Sequence, residues 1–223
     1  MTISSVDLLY KSMPLLIQGA SLTLQILLYS ACVSICLGTL FGVGTCLRLR
    51  SALWGPLLES ITFILRAVPF YVQLLIVYFV LPDLVSMNMD AFTASVLSLG
   101  ICSSGYVAQV VRCGINSILK EQWEEAATLG YSTKATLRYT ILPQMIRNIL
   151  PALTSELDAL AKSTAILSSI GLLELTRMGM NIVSREMEPL IIYLLVAAFY
   201  VLISGVINLL SKYLETRIRY ANS

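Results

Sequence analysis

The chain contains no histidine. That absence removes Ser-His-Asp acyl transfer, His-ligated zinc and His-ligated haem together. No GxxxxGK[ST] run occurs, so the chain has no Walker-type loop of its own to cradle ATP phosphates. The five cysteines (Cys32, Cys36, Cys46, Cys102, Cys113) lie mostly within or at the ends of apolar runs and form no CxxC pair. They read as small buried hydrophobes rather than metal ligands or redox centres. What remains for chemistry is a sparse set of polar side chains inside apolar sequence. Glu59, Arg66 and Gln73 recur at a spacing of seven, which places them near one face of a continuous helix. Asp158 and Lys162 are four apart with the acid first, a favourable helical ion-pair spacing. Glu156, Ser163, Thr164, Ser168 and Ser169 crowd the same stretch. A Ser–Lys nucleophile built on Lys162 is conceivable there, which would make an intramembrane enzyme. Polar side chains lining a water-filled path explain the same residues without a catalytic framework.

The elements that position these groups follow from composition. Of 223 residues, 57% are hydrophobic and only 13% charged, with a mean hydropathy of +0.81. Charged residues make up about 25% of ordinary soluble domains. Apolar runs of about 20 residues, each long enough to cross a bilayer, recur along the chain. They do not alternate as barrel strands do, so they read as helices that satisfy their own backbone groups. The net charge of +2 is small and dispersed and gives no support to nucleic-acid binding. The weakly charged N-terminus, with Asp7 and Lys11, and the long apolar run after it argue against a cleaved signal peptide.

The expectation is an all-α bundle of about five spans forming one transmembrane domain over residues 15–210. The first span reads Leu15 to Leu47, with a Gly38/Gly42 pair that permits close helix packing, and Arg48 and Arg50 at its end. The second reads Leu57 to Leu81. Pro69 lies inside it, and a kink is expected where the carbonyl of Leu65 loses its donor. An arginine in hydrocarbon costs about 2.5–3.5 kcal/mol on insertion scales, so Arg66 must face protein or water. It is either a structural partner for a neighbouring carboxylate or carbonyl, or part of a solute path. A polar turn over 82–90 leads to a small-residue-rich third span, Ala91 to Val111. The fourth, Leu150 to Leu173, is the most polar and requires shielding. A polar segment with Arg177, Arg185, Glu186 and Glu188 precedes the last span, Leu190 to Leu210.

Between the third and fourth spans lies the one long hydrophilic stretch, residues 113–150. Glu124, Glu125, Ala126 and Ala127 favour helix, Gly130 can end it, and Ser132 or Thr133 can cap a second short helix. Arg48, Arg50, Arg112, Lys120, Lys134, Arg138, Arg147, Lys212, Arg217 and Arg219 fall on one side of a five-span topology, against Lys11, Arg177 and Arg185 on the other. The positive-inside rule therefore puts residues 113–150 and the C-terminus in the cytoplasm and the N-terminus outside.

The stretch QWEEAATLGYSTKATLRYTILPQMIRNILP resembles the signature loop of the membrane subunits of bacterial ABC importers. Gly130 and Pro143 stand at the family spacing, with Leu142-Pro143 in place and Glu124 at the signature glutamate. Glu125 replaces the first alanine of the motif and Thr140 an aliphatic residue. Arg66-Ala67-Val68-Pro69 with Val72-Gln73-Leu74, Gly105-Tyr106-Val107-Ala108-Gln109 and Lys162-Ser163-Thr164-Ala165 are similar to runs of the polar amino-acid permease branch (histidine-, glutamine- or arginine-type), with Gln109 in place of an acid. The resemblance covers about residues 15–210. It implies a type I ABC importer-like fold with a cytoplasmic coupling helix, in the bacterial inner membrane. It implies pairing with a second, identical or related permease subunit, a dimer of ATPase subunits in the cytoplasm, and an extracytoplasmic amino-acid-binding protein. It also implies that ATP and magnesium bind to the ATPase, with no cofactor held by this chain. Glu124, Glu125, Ala126, Ala127, Gly130, Leu142 and Pro143 would then couple to the ATPase. Arg66, Gln73, Gln109, Glu156 and Lys162 are the candidates for the solute path, each with interhelical pairing as the alternative role. A secondary, ion-coupled amino-acid transporter is the other functional reading; the signature loop and the short chain weigh against it.

Overall fold

The structure is a computed structural model and describes residues 5–47, 49, 51–86 and 88–220. Arg48 and Arg50, and the side chain of Arg219, lie outside what is described. The described residues are helical with no strand. The helices are α1 (Ser5–Thr45), α2 (Trp54–Ala67), α3 (Phe70–Leu75), α4 (Leu81–Val85), α5 (Ala91–Asn116), α6 (Lys120–Thr128), α7 (Thr133–Thr136), α8 (Leu142–Ser163), α9 (Leu175–Glu186) and α10 (Pro189–Tyr220). Among the described residues, three of them, α1, α5 and α10, are each long and apolar enough to cross a membrane alone, and the total reaches five when each of two bent helix pairs counts as one span. α1 has 41 residues. At about 1.5 Å per residue it is roughly twice as long as the hydrocarbon core is thick, so it tilts or emerges from the bilayer. The apolar window of α10 is only 17% buried by the chain itself, so most of that helix is left for lipid or another subunit.

The second span corrects the expectation at Pro69. A kinked but continuous helix was expected; instead α2 ends at Ala67 and the following helical segment, Phe70–Val85, leaves at 101°. Val68 is extended (φ −82°, ψ 128°), the conformation a following proline imposes. The carbonyls released by the break are not abandoned in an apolar setting, where each would cost several kcal/mol. The Cys102 thiol donates to the Leu65 carbonyl at 3.8 Å and the Tyr106 hydroxyl to the Arg66 carbonyl at 3.4 Å. The break also corrects the spacing of seven: Glu59 and Arg66 share α2, but Gln73 lies beyond the bend on α3 and does not continue their face.

Two π-helical turns, Ile76–Val80 and Leu137–Ile141, each run directly into a Leu-Pro pair, Leu81-Pro82 and Leu142-Pro143. A proline lacks an N–H and its ring presses on the carbonyl four residues back. Widening the preceding turn to an i→i+5 bond, Leu81 to Ile76 and Leu142 to Leu137, relieves that pressure without breaking the helix. The turn expected over 82–90 is therefore shorter: helix persists to Val85, and Ser86 follows at φ 51°. Asp90 caps α5, its carboxylate accepting from the Thr93 hydroxyl at 2.7 Å and the Thr93 N–H at 3.1 Å. Those bonds hold its carboxyl below the usual aspartate range.

The hydrophilic stretch is also less separate than expected. α5 runs on to Asn116, and helix resumes at Thr133 and continues through α8 into a 3₁₀ segment, Thr164–Ile170. The second short helix is thus the beginning of the fourth span. The polar segment after that span is itself a helix, α9, bent by 49° from it.

The chain forms two compact units. One comprises Met1–Cys32, Phe70–Gly100 and Leu157–Ile207; the other comprises Val33–Pro69, Ile101–Glu156 and Asn208–Ser223. The first unit packs Leu16, Ile26, Leu74, Leu99, Leu167, Leu175, Ile182 and Ile192 into a continuous core. Within it Glu174 is fully buried and caps α9, accepting from the N–H groups of Thr176 (2.8 Å) and Arg177 (2.7 Å) and from the Tyr200 hydroxyl (3.2 Å). The second unit packs Val107, Val111, Ile115, Trp123, Ile141, Met145 and Ile149. Here the Gly38/Gly42 pair does what its spacing suggested. A Cβ on Gly42 would stand 2.7 Å from the carbonyl of Ala108, and one on Gly38 2.5 Å from Cβ of Val107, so the two glycines let α1 touch the backbone of α5.

Candidate functional site

α6 is a nine-residue helix with two distinct faces. Trp123 and Ala126, three apart, are both buried, and Trp123 packs into the core of the second unit. Glu121, Glu124, Glu125, Ala127 and Thr128 are exposed, and Leu129 follows them, 74% exposed. The helix closes on Gly130 at φ +80°, with the Tyr131 N–H bonded to the Ala126 carbonyl and the Gly130 N–H to the Ala127 carbonyl, both at 3.0 Å. This pair of bonds is a Schellman cap, which needs the left-handed conformation that glycine adopts most readily. Ser132 rather than Thr133 caps the next helix, accepting from the Ala135 N–H at 3.3 Å. The Gln144 amide donates to Gln122 at 2.6 Å and to the Thr140 carbonyl at 3.0 Å, which ties α6 to the start of α8. Leu142 packs on the same core, while Pro143 is exposed. The seven residues expected to act together therefore divide. Ala126 and Leu142 hold α6 in place; Glu124, Glu125, Ala127 and Pro143 face outward; Gly130 sets the turn between them.

Glu124 pairs with Lys120 at 2.7 Å in an exposed i,i+4 contact. Such a pair contributes about 0.3–0.5 kcal/mol, so Glu124 can exchange Lys120 for a cation on another surface at little cost.

Three of the five solute-path candidates come together. Arg66, Gln109 and Glu156 line one open cavity of about 830 Å³ in the second unit, with Tyr106, Ser117 and Asn148. Arg66 is anchored at both ends of its guanidinium: Nε donates to the Thr62 carbonyl at 3.1 Å and Nη1 to the Gln109 side chain. Its two readings thus coexist, a structural tie between α2 and α5 and a charge on a cavity wall. The Glu156 carboxylate has no hydrogen bond or ion pair among the described residues and faces the same space. Gln73 and Lys162 belong to the first unit. Lys162 pairs with Asp158 at 2.6 Å, as their spacing predicted, and keeps an exposed ammonium.

Sequence reasoning passed over Tyr106, Ser117 and Asn148 as cavity-lining groups. Tyr106, Gln109 and Cys113 recur at three and four along α5, a signal present in the sequence but diluted by the serines and glycines around it. Asn148 carried no signal, because its exposure depends on which face α8 turns toward α5.

Three comparisons bear on this arrangement. The family model described as "Binding-protein-dependent transport system inner membrane component" matches residues 34–220. The chain is 34% identical over 209 residues to the arginine transport system permease protein ArtQ of Bacillus subtilis (strain 168), covering 92% of this chain and 93% of the relative. It is 33% identical over 214 residues to the glutamine transport system permease protein GlnP of Escherichia coli (strain K12), covering 95% and 96%. Among solved structures, a crystal structure of an amino acid ABC transporter with histidines superposes at a TM-score of 0.86 and 33% identity, over 97% of this chain and all of that one. An inward-facing MetNI methionine ABC transporter shares the fold at a TM-score of 0.81 and 19% identity. With its multiple membrane-spanning helices, its capped amphipathic α6 and a match over residues 34–220, the chain belongs to the family of binding-protein-dependent transport system inner membrane components.

Proposed function

We propose that this chain is the membrane-spanning permease subunit of an ATP-driven ABC importer that carries a polar amino acid across the bacterial inner membrane. The observation that carries the reading is α6: a short helix fixed to the chain's own core by Trp123, with Ala126 buried on the same face, an acidic outer face and a glycine turn. A helix held this way between α5 and α8 transmits a rigid-body push to both. The relatives' names as arginine and glutamine permeases support an amino-acid cargo.

In this reading the chain pairs with a second permease subunit, identical or related. Two ATPase subunits bind the outer face of α6 from the cytoplasm and hold ATP and magnesium, and a binding protein delivers cargo from the opposite side. The C-terminus and residues 113–150 are cytoplasmic and the N-terminus is outside, as the distribution of Lys and Arg supports. Glu124 meets a cation of the ATPase, Ala127 allows close approach, and Gly130 and Pro143 shape the rim of the contact. Arg66, Gln109 and Glu156 face the cargo in the second unit, where a guanidinium and a carboxylate suit the two charges of an amino acid. Gln73 and Lys162 face the cargo in the first. No covalent step is performed by this chain; the work is alternating access. The test is uptake into vesicles holding the chain with its ATPase and binding-protein partners. The reading requires uptake that depends on ATP and falls in Arg66→Ala. Uptake driven by an ion gradient through this chain alone would replace it with the secondary carrier.

A further inference from the structure

The second unit holds another cavity, of about 400 Å³, lined by Thr45, Glu59, Arg112 and Asn116 and sharing Cys113 and Ser117 with the larger one. Along α5 the lining residues Tyr106, Gln109, Cys113 and Asn116 recur at helical spacing and Ser117 follows the last turn, so a single stripe of that helix serves both spaces. The stripe runs from the level of Arg66 to the last turn of α5. The N–H of Leu47 donates to Asn116 there at 3.2 Å, and the chain passes within a few residues into α6. Arg112 on α5 meets Glu59 on α2 across the smaller space, Nη1 to Oε1 at 3.5 Å, with about a third of each side chain exposed (34% and 31%).

We infer that the Glu59–Arg112 pair is the inner gate of the solute path, closing the route from the Arg66–Gln109–Glu156 cavity past Cys113 and Ser117 toward the end of α5. The inference rests on the transport reading above. A long, partly hydrated ion pair is a weak contact that separates at little cost. The cargo itself eases the exchange: its carboxylate takes the place of Glu59 at Arg112, so the guanidinium keeps a counter-charge while the pair is parted. The pair joins α2 to the end of α5 nearest α6, so movement of α6 changes the separation on which the gate depends.

Cys113 lies on the wall common to both cavities and is exposed, which makes it the natural reporter. The assembled transporter in inside-out vesicles is treated with a membrane-impermeant cationic thiol reagent, and modification of the Cys113 peptide is followed by mass spectrometry. In both Glu59→Gln and Arg112→Gln the rate rises, by up to about fivefold for loss of a weak pair, and the double swap Glu59→Arg with Arg112→Glu returns it toward wild type. Local charge alone predicts opposite changes, slower in Glu59→Gln and faster in Arg112→Gln; that result, or unchanged rates, overturns the gate. If both single variants fail to assemble and the swap does not restore assembly, the pair serves folding and the gate is also overturned. The transport reading falls separately, on wild-type protein that associates with no ATPase.

Discussion

Replacing Gly130 separates backbone strain from contact with a partner. The residue sits at φ +80°, and a Cβ built on it meets nothing within 4 Å. Within this chain, any side chain at 130 therefore meets the cost of the left-handed conformation and no clash. That cost is about 1–2 kcal/mol for an ordinary L-residue and less for asparagine. It acts on the two bonds of the Schellman cap, Tyr131 to Ala126 and Gly130 to Ala127. Gly130→Ala and Gly130→Leu should thus lower the thermal stability of the purified chain by the same amount, within about 0.5 kcal/mol, and Gly130→Asn by less. Association with the ATPase should not follow that order. If the open space over Gly130 is where the ATPase seats α6, leucine obstructs it and alanine barely does. The assay is recovery of the ATPase with the tagged permease, alongside ATP hydrolysis stimulated by loaded binding protein. Strong loss of association in Gly130→Leu with near-retention in Gly130→Ala supports the reasoning. Equal association of the two variants refutes it, because the space above Gly130 would then be open to solvent in the assembled transporter.

Gly42→Ala should destabilise the chain by about 1–3 kcal/mol, because its Cβ would stand 2.7 Å from the Ala108 carbonyl, a backbone atom that cannot swing away. Gly205→Ala in α10, where nothing lies within 4 Å, should be neutral or add up to about 1 kcal/mol of helix stability; thermal unfolding in detergent compares the two, and equal effects would mean α1 does not approach α5 as closely as described. Glu174→Ala should cost about 1–3 kcal/mol, since it removes the α9 cap and leaves the half-buried N–H groups of Thr176 and Arg177 without their acceptor. Tyr200→Phe removes one bond to the same carboxylate and should cost about 1 kcal/mol; the same unfolding measurement checks both, and a Glu174→Ala variant as stable as wild type would show that the cap is dispensable.

Much of this was legible in the sequence where a signal was local. The apolar runs announced the spans, the Gly38/Gly42 spacing announced the close approach to α5, and Asp158 and Lys162 paired as their spacing of four required. Gly130 ended a helix because nothing else in that stretch adopts a positive φ as readily. The reading that kept the second span as one kinked but continuous helix did not survive. Pro69 broke the second span outright because it forced Val68 into extended backbone, which removed Gln73 from the face of Glu59 and Arg66. That helix runs on through Leu142-Pro143 left no trace in the sequence, because it depends on a π turn, Leu137–Ile141, that accommodates the proline. Glu174 escaped notice because its role is set by three partners, one of them 26 residues away on α10. Long-range partners of that kind leave no periodic trace in a single sequence.

The central claim is that the outer face of α6 is where an ATPase binds. Site-directed cross-linking tests it most directly, because the helix carries its own control: Ala127 is exposed and the adjacent Ala126 is buried within the chain. With a single cysteine at either position in the assembled transporter, a short bifunctional thiol reagent should join Ala127→Cys to the ATPase, with a yield that changes on addition of ATP, and should not join Ala126→Cys. Absence of any ATPase cross-link at 127, or equal yields at 126 and 127, would contradict the account.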